Sequence, residues 1–212
     1  MTTAGAWVVI VDDDAAVRDS LQNLLDAAGF RVAAMASPAG LIDDPRLHLS
    51  CCVVLDLRMP GVSGLDVQRQ LDEAGLQVPV VFLSGQGNVP STVAAMKGGA
   101  VDFLEKPVRP HELLDAVHRA IERGAVARAA QQRLASARRR LDSLSARERG
   151  VLAAVVAGRL NRQIAEDLGL TERTVKFHRA NIMRKMRVSS VAELVTLTEQ
   201  LRVASVLEAA KP

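Results

Sequence analysis

Between residues 7 and 104, short apolar runs alternate with segments of helical periodicity five times over, and nothing else in the chain constrains its fold as strongly. Val8-Val9-Ile10-Val11 and Cys52-Val53-Val54-Leu55 are apolar without interruption, the pattern of strands covered on both faces. Strands alternating with helices build a parallel sheet flanked by those helices. The expected strands span residues 7–11, 31–35, 51–55, 78–83 and 101–104. The expected helices span residues 15–28, a short stretch from Ser37-Pro38, residues 64–74, residues 90–97 and a stretch from Pro110, a residue suited to a first helical turn. Five such units predict a doubly wound α/β sandwich. In it, strands one, three, four and five end around one crevice.

Polar residues fall at those strand ends. Asp12, Asp13 and Asp14 close the first strand, Asp56 the third and Ser84 the fourth, and Lys106 follows the fifth. Open α/β sheets place their chemistry at this edge. Asp12, Asp13 and Asp56 repel one another in a small crevice unless a cation neutralises them. Mg²⁺ suits such hard oxygens and keeps positions for water and phosphoryl oxygens. A phosphoryl donor could then present phosphorus to Asp56, with Lys106 supplying a point charge and Ser84 a short hydroxyl.

Charge divides the chain. Residues 1–118 hold 8 Lys/Arg against 15 Asp/Glu, a net −7, and residues 119–212 hold 19 against 9, a net +10. An acidic half suits a cation and a basic half a polyanion such as nucleic acid. The basic half is helical throughout. Ala127, Ala130, Leu134, Ala137, Leu141 and Leu144 fall at heptad spacing, as in a helical linker or short coiled coil, and whether Gly124 interrupts it is open. Arg138-Arg139-Arg140 reads as a solvated linker face. Ser145 and Glu148 form a capping box for the next helix. Asn161 reads as the N-cap of a helix over residues 162–168, Gly169 permits a tight turn, Thr171 caps a helix over 172–186, and a last helix begins near Ser190.

Two helices about a glycine turn are a helix-turn-helix signal. At about 100° per residue, Val175, Ile182 and Met186 share one face of the second helix. Arg173, Lys176, Phe177, Ala180 and Arg184 share the opposite face, flanked by Thr174, Arg179 and Asn181. Lysine can bond guanine edges, apolar groups can meet thymine methyls, and the flanking polar groups suit phosphates. His178 has no His or Cys partner for a metal and reads as packed or phosphate-facing.

Of the 212 residues, 49% are hydrophobic, enough for sizeable cores. No apolar stretch reaches the ~18–20 residues of a membrane span, and no signal-peptide pattern opens the chain. The adjacent Cys51 and Cys52 read as small core hydrophobes, which fits a reducing cytoplasm.

Val11-Asp12-Asp13-Asp14, Leu55-Asp56-Leu57-Arg58-Met59-Pro60-Gly61, Ser84-Gly85 and Glu105-Lys106-Pro107 stand in the order and spacing of a response-regulator receiver domain. The resemblance covers residues 6–122 and implies a flavodoxin-like (βα)5 fold. It makes Asp56 the phospho-acceptor. Asp12, Asp13, Asp56 and the backbone carbonyl of Arg58 become Mg²⁺ ligands, and Asp14 is a neighbour outside that ligand set. Lys106 becomes the phosphoryl-binding lysine, and Lys106-Pro107 a cis bond. Ser84 and Phe103 resemble the switch pair, with phenylalanine where many receivers carry tyrosine. Gly85 and Gly87 mark a mobile switch loop, in which Gln86 and Asn88 replace the histidine and aspartate of related regulators. Leu144-Ser145-Ala146-Arg147-Glu148-Arg149, Asn161-Arg162-Gln163-Ile164-Ala165 and Thr174-Val175-Lys176-Phe177-His178-Arg179 resemble the four-helix LuxR/NarL/FixJ-type DNA-binding domain over residues 143–205. Lys176, Phe177 and Ala180 match its base-facing positions. Ala180 stands where other members carry a long polar residue.

As a whole the chain is similar to FixJ-type response regulators. The resemblance implies a receiver over residues 1–122, a helical linker over 123–143 and a helix-turn-helix domain over 144–212. It further implies a cytoplasmic transcription activator, not an enzyme, switched by a sensor histidine kinase acting on Asp56. Its partners would be double-stranded promoter DNA, RNA polymerase and, once phosphorylated, a second copy docked through the surface of helix 90–97 and strand 101–104, with no membrane involved. Two rival readings stand beside it. One is a phosphorylation-independent DNA-binding regulator whose receiver serves only for docking. The other is a metal-dependent phosphatase built on the acidic crevice, for which the sequence offers no further nucleophile.

Overall fold

The structure, a computed structural model, describes residues 6–85 and 89–209, with the side chains of residues 48, 50, 51 and 203–209 also outside the description. The expected loop residues Gln86, Gly87 and Asn88 and the Cys51 side chain therefore lie outside the described residues. Contacts divide the chain into two units, residues 1–129 and 130–212.

The first unit is a five-stranded parallel sheet of β1 (Trp7–Val11), β2 (Arg31–Met35), β3 (Ser50–Asp56), β6 (Val80–Ser84) and β7 (Asp102–Glu105), in the order β2-β1-β3-β6-β7. Two short strands, β4 (Arg58–Met59) and β5 (Val62–Ser63), pair as a small hairpin just after β3. Because side chains alternate across a strand, Val8, Ile10, Cys52, Val54, Val81 and Leu83 point to one face. There they meet Leu21 and Leu25 of α1 (Ala15–Ala27) and Leu113, Ala116 and Val117 of α4 (Pro110–Asp142). Val9, Val11, Val53, Leu55 and Phe82 point to the other face, against Val67 and Leu71 of α2 (Gly64–Glu73) and Ala95 of α3 (Val89–Lys97). Helices on both faces make the sheet doubly wound and flavodoxin-like.

The helix expected from Ser37-Pro38 does not form. Residues 36–44 run as bends and turns, followed by a single 3₁₀ turn, Pro45–His48, capped by Asp44. Leu41 and Leu47 still fill the core, so hydrophobic anchoring there needs no α-helix.

Gly124 does not interrupt α4, which continues through it. A Cβ at Gly124 would come within 2.9 Å of Pro79 Cγ, so the glycine serves close packing against the entry to β6. The heptad-spaced residues of the far end of α4 are turned inward within the second unit. Ala137 is fully buried, and Leu134 and Leu141 pack beside it on α5 (Ala146–Val156), α6 (Asn161–Leu168), α7 (Glu172–Met186) and α8 (Val191–Ala209). That seam closes the unit's own core and is not displayed for a coiled coil.

The Ser145–Glu148 capping box forms, with Glu148 N donating to Ser145 Oγ at 3.2 Å and Ser145 N to Glu148 Oε2 at 2.8 Å. Thr171 Oγ1 accepts from Thr174 N at 3.2 Å, so Thr171 caps α7. Gly169 turns the chain between α6 and α7 with φ +62°. Asn161 is not the expected cap. It is the first helical residue, after Leu160, whose N–H donates to Gln163 Oε1 at 2.9 Å. Among the described residues no helix is long and apolar enough to cross a membrane.

Candidate functional site

Parallel register builds the acidic crevice. Val11 pairs with Leu55, so the next residues, Asp12 and Asp56, emerge side by side from β1 and β3. The strand order reverses at this point, where open α/β sheets leave a crevice. Ser84 pairs with Glu105, which brings Lys106 to the same edge, and Lys106 N donates to Ser84 O at 2.8 Å. The Lys106-Pro107 peptide is cis.

Carboxylate oxygens of Asp12, Asp13 and Asp56 all lie within 4.8 Å of one another. Asp12 is fully buried, Asp56 is 6% exposed and Asp13 faces solvent. Lys106 Nζ lies 2.6 Å from Asp12 Oδ2 and 3.0 Å from Asp56 Oδ2. The approach to Asp56 is a hydrogen bond. The approach to Asp12 Oδ2 is an ion pair outside hydrogen-bonding angles, and that buried oxygen has no hydrogen-bond partner among the described residues. Asp12 Oδ1 accepts from Asp14 N at 3.0 Å, and Asp56 Oδ1 from Arg58 N at 3.3 Å. Burial pushes the Asp12 carboxyl above its usual value by more than the adjoining Lys106 ammonium lowers it. Burial pulls Lys106 down, but contacts with Asp12 and Asp56 outweigh it and raise the ammonium above its usual value. One lysine thus offsets a cluster of three carboxylates. A small hard cation fits this donor set.

Asp14 is committed elsewhere. Its Oδ1 accepts from Ala16 N at 2.8 Å and Val17 N at 3.3 Å, capping α1. Ser84 is buried at the tip of β6. Phe103 is half-buried on β7, its ring centroid 6.4 Å from that of buried Phe82.

In the second unit, α7 presents the two faces that its periodicity predicts. Val175, Ile182 and Met186 are buried. Arg173, Lys176, Phe177, Ala180 and Arg184 are exposed, Phe177 at 62%. Thr174, Arg179 and Asn181 are half-buried along the flanks. The Thr174 hydroxyl bonds that of Thr171 at 2.8 Å, Arg179 Nη1 donates to Asn161 Oδ1 at 2.9 Å, and Arg184 Nη2 donates to Asn181 Oδ1 at 3.0 Å. A solvated large aromatic among cations is costly for a free surface and suits contact with a base or thymine methyl. His178 is half-buried beside Phe177, with ring centroids 5.9 Å apart.

Comparison with known proteins agrees with both halves. Residues 8–118 match the family described as response regulator receiver domain, and residues 142–198 match bacterial regulatory proteins of the luxR family. The chain is a response regulator of the FixJ subfamily. It is 44% identical to nodulation protein W of Bradyrhizobium diazoefficiens over 94% of this chain and 88% of that one. It is 42% identical to the transcriptional regulatory protein FixJ of the same species, over 93% and 96%. Among solved structures, response regulator StyR superposes with a TM-score of 0.79 at 42% identity, covering 93% of this chain and 100% of that one. The regulator therefore pairs a two-component receiver with a LuxR-type DNA-binding domain.

Three features of this regulator were not picked out from sequence. Gly64 begins α2 against the end of β3, where an added Cβ would stand 2.5 Å from Asp56 O and 3.0 Å from Phe82 Cε1. Arg18 Nη1 reaches back to Asp12 O at 2.6 Å. The contact by which Asn161 ties α6 to α7 through Arg179 is the third. Arg18 lies one turn into α1 and a position pattern could have flagged it. The other two depend on elements brought together by the fold.

Proposed function

We propose that this response regulator is a phosphorylation-dependent transcription activator of the cytoplasm, with a receiver over residues 1–122, a linker over 123–143 and a DNA-binding domain over 144–212. Asp56 is the phospho-acceptor, and the donor is a phosphohistidine of a sensor histidine kinase. An Asp56 carboxylate oxygen attacks phosphorus, the N–P bond breaks, and the electron pair leaves with the imidazole. The observation that carries this reading is the packing of Lys106 against Asp56 beside the Asp12–Asp13 pair.

Asp12, Asp13, Asp56 and the Arg58 carbonyl would hold Mg²⁺, which offsets charge on the phosphoryl group when bound. Lys106 holds a phosphoryl oxygen. Ser84 donates to another, and Phe103 follows the space that Ser84 leaves. That rearrangement on β7 and α3 favours a homodimer. The dimer places two copies of α7 on a two-part site in promoter DNA for RNA polymerase to use. Lys176, Phe177 and Ala180 face bases with Arg173 and Arg184 beside them, and Thr174, Arg179 and Asn181 serve the backbone.

The test is phosphorylation by a small phosphodonor with Mg²⁺, followed by DNA binding. Acid-labile label on the parent and none on Asp56→Asn is expected, with DNA affinity rising only in the parent. If Asp56→Asn bound promoter DNA as tightly as the phosphorylated parent, the receiver would be a docking platform instead.

A further inference from the structure

Gln68 is the polar exception on the core face of α2. Gly64, Val67, Gln68 and Leu71 are the buried residues of that helix, at the spacing of one helical face. Gln68 is 6% exposed, and an apolar side chain there would bury core surface with no polar group to satisfy. Its Nε2 instead donates to Gly98 O at 2.9 Å, across 30 residues. Gly98 follows the last residue of α3. The chain leaves that helix with Gly98 N donating to Ala94 O at 2.9 Å and Gly99 N to Met96 O at 3.1 Å. Glutamine and glycine are matched, since a Cβ at Gly98 would stand 2.7 Å from Gln68 Oε1.

Apolar packing holds α3 only lightly. Ala95 is the one buried residue of this nine-residue helix, while Val89, Val93 and Met96 are exposed. So small a buried surface gives little stability, and a directional bond at the helix end then carries weight. Gly98 is exposed, so water can replace the amide at its carbonyl if the helix moves, and that acceptor is not left orphaned. We infer that Gln68 is a latch: it holds the C-terminal end of α3 in the resting receiver, and its release frees the face of Val93 and Met96 to meet a second copy. The inference rests on the reading that α3 and β7 carry the homodimer surface, and it names the residue that holds this surface back before phosphorylation.

Two variants reach the bond from opposite sides. Gln68→Met keeps the helix and nearly the volume but removes the donor. Gly98→Ala leaves Gln68 intact and drives the pair apart, at a position whose backbone is not left-handed. Hydrogen exchange of the unphosphorylated full chain reads the latch. Relative to intrinsic rates, the amides of residues 98–100 should exchange about three- to tenfold faster in each variant, the factor of one hydrogen bond, with β1 and β3 amides unchanged. Sedimentation should show unphosphorylated dimer association strengthened by a similar factor. The double variant should match either single variant, because both act through one bond. Unchanged exchange at residues 98–100 overturns the latch. So do additive effects in the double variant, exchange raised equally throughout the sheet, or faster exchange at α3 with unchanged association. Phosphorylated parent run alongside keeps the two readings apart: if it stays monomeric, the dimer reading fails by itself, whatever the exchange of the variants.

Discussion

Lys106 Nζ lies 3.0 Å from Asp56 Oδ2, and this pair is the electrostatic centre of the receiver's crevice. The same ammonium reaches buried Asp12. Removing it leaves carboxylates facing one another with little water to screen them. Lys106→Met is expected to lose about 2–3 kcal/mol of receiver stability without added metal, seen as a lower urea midpoint at unchanged slope. Mg²⁺ should recover part of that loss in the variant, because a ligand of the native state stabilises by mass action. No response of the variant's midpoint to Mg²⁺ would count against the carboxylate trio as the cation site.

Gly64 is a packing requirement of the site. Its place beneath Asp56 O leaves no room for a methyl group, since backbone cannot move aside as a flexible side chain can. Gly64→Ala is expected to cost about 2–3 kcal/mol and to slow phosphorylation although every charged residue is intact. Chemical denaturation and label incorporation measure the two effects.

Phe103 packs beside Phe82, and its ring brings no charge or hydrogen-bonding group to the carboxylates. Phe103→Ala should therefore take up phosphoryl label at close to the parent rate, yet lose most of the phosphorylation-dependent gain in DNA affinity. Gel shifts with phosphorylated and unphosphorylated protein read the difference.

Glu148 joins two helices of the DNA-binding domain. Its Oε2 accepts from Lys185 Nζ at 2.7 Å and from Ser145 N at 2.8 Å. The Lys185 bond first, and the Ser145 N–H next, hold the Glu148 carboxyl down at about 2, against an ordinary 4.5. A depressed carboxyl contributes stability that is complete above the unfolded value and is lost as pH falls through the folded one. Glu148→Gln should cost on the order of 1–2 kcal/mol at neutral pH, allowing for the partly solvated lysine. The gap between parent and variant melting temperatures should close between about pH 5 and pH 2.

Lys176 stands on the exposed face of α7. Lys176→Ala is expected to weaken a cognate promoter site by about 1–3 kcal/mol and random DNA far less. Arg179→Ala should weaken both alike and reduce the salt slope by about 0.9. Equal losses on both DNAs for Lys176→Ala would move it from the bases to the backbone.

Periodicity and chain order made much of this legible. Apolar runs ending in Asp12, Asp56 and Ser84 are local signals, and once strands are parallel their tips must converge. The two faces of α7 likewise follow from helical spacing, so Val175 and Ile182 turn inward and Lys176 and Phe177 outward. The short helix expected from Ser37-Pro38 does not form, because Leu41 and Leu47 are anchored by the core and not by a helix of their own. The heptad spacing of Leu134, Ala137 and Leu141 could not say which partner covers them.

By itself, then, the sequence determined the strand and helix periods, the residues at each strand tip and the charged face of the recognition helix, because these depend on neighbours within a few positions. Only the tertiary structure decided that Lys106 closes on Asp56 across 50 residues, that Lys185 finds Glu148 across 37, that Gly64 must lack a side chain, and that the end of α4 is buried in the second unit's core. Those outcomes depend on which distant surfaces exclude water from one another, and no local pattern carries that information.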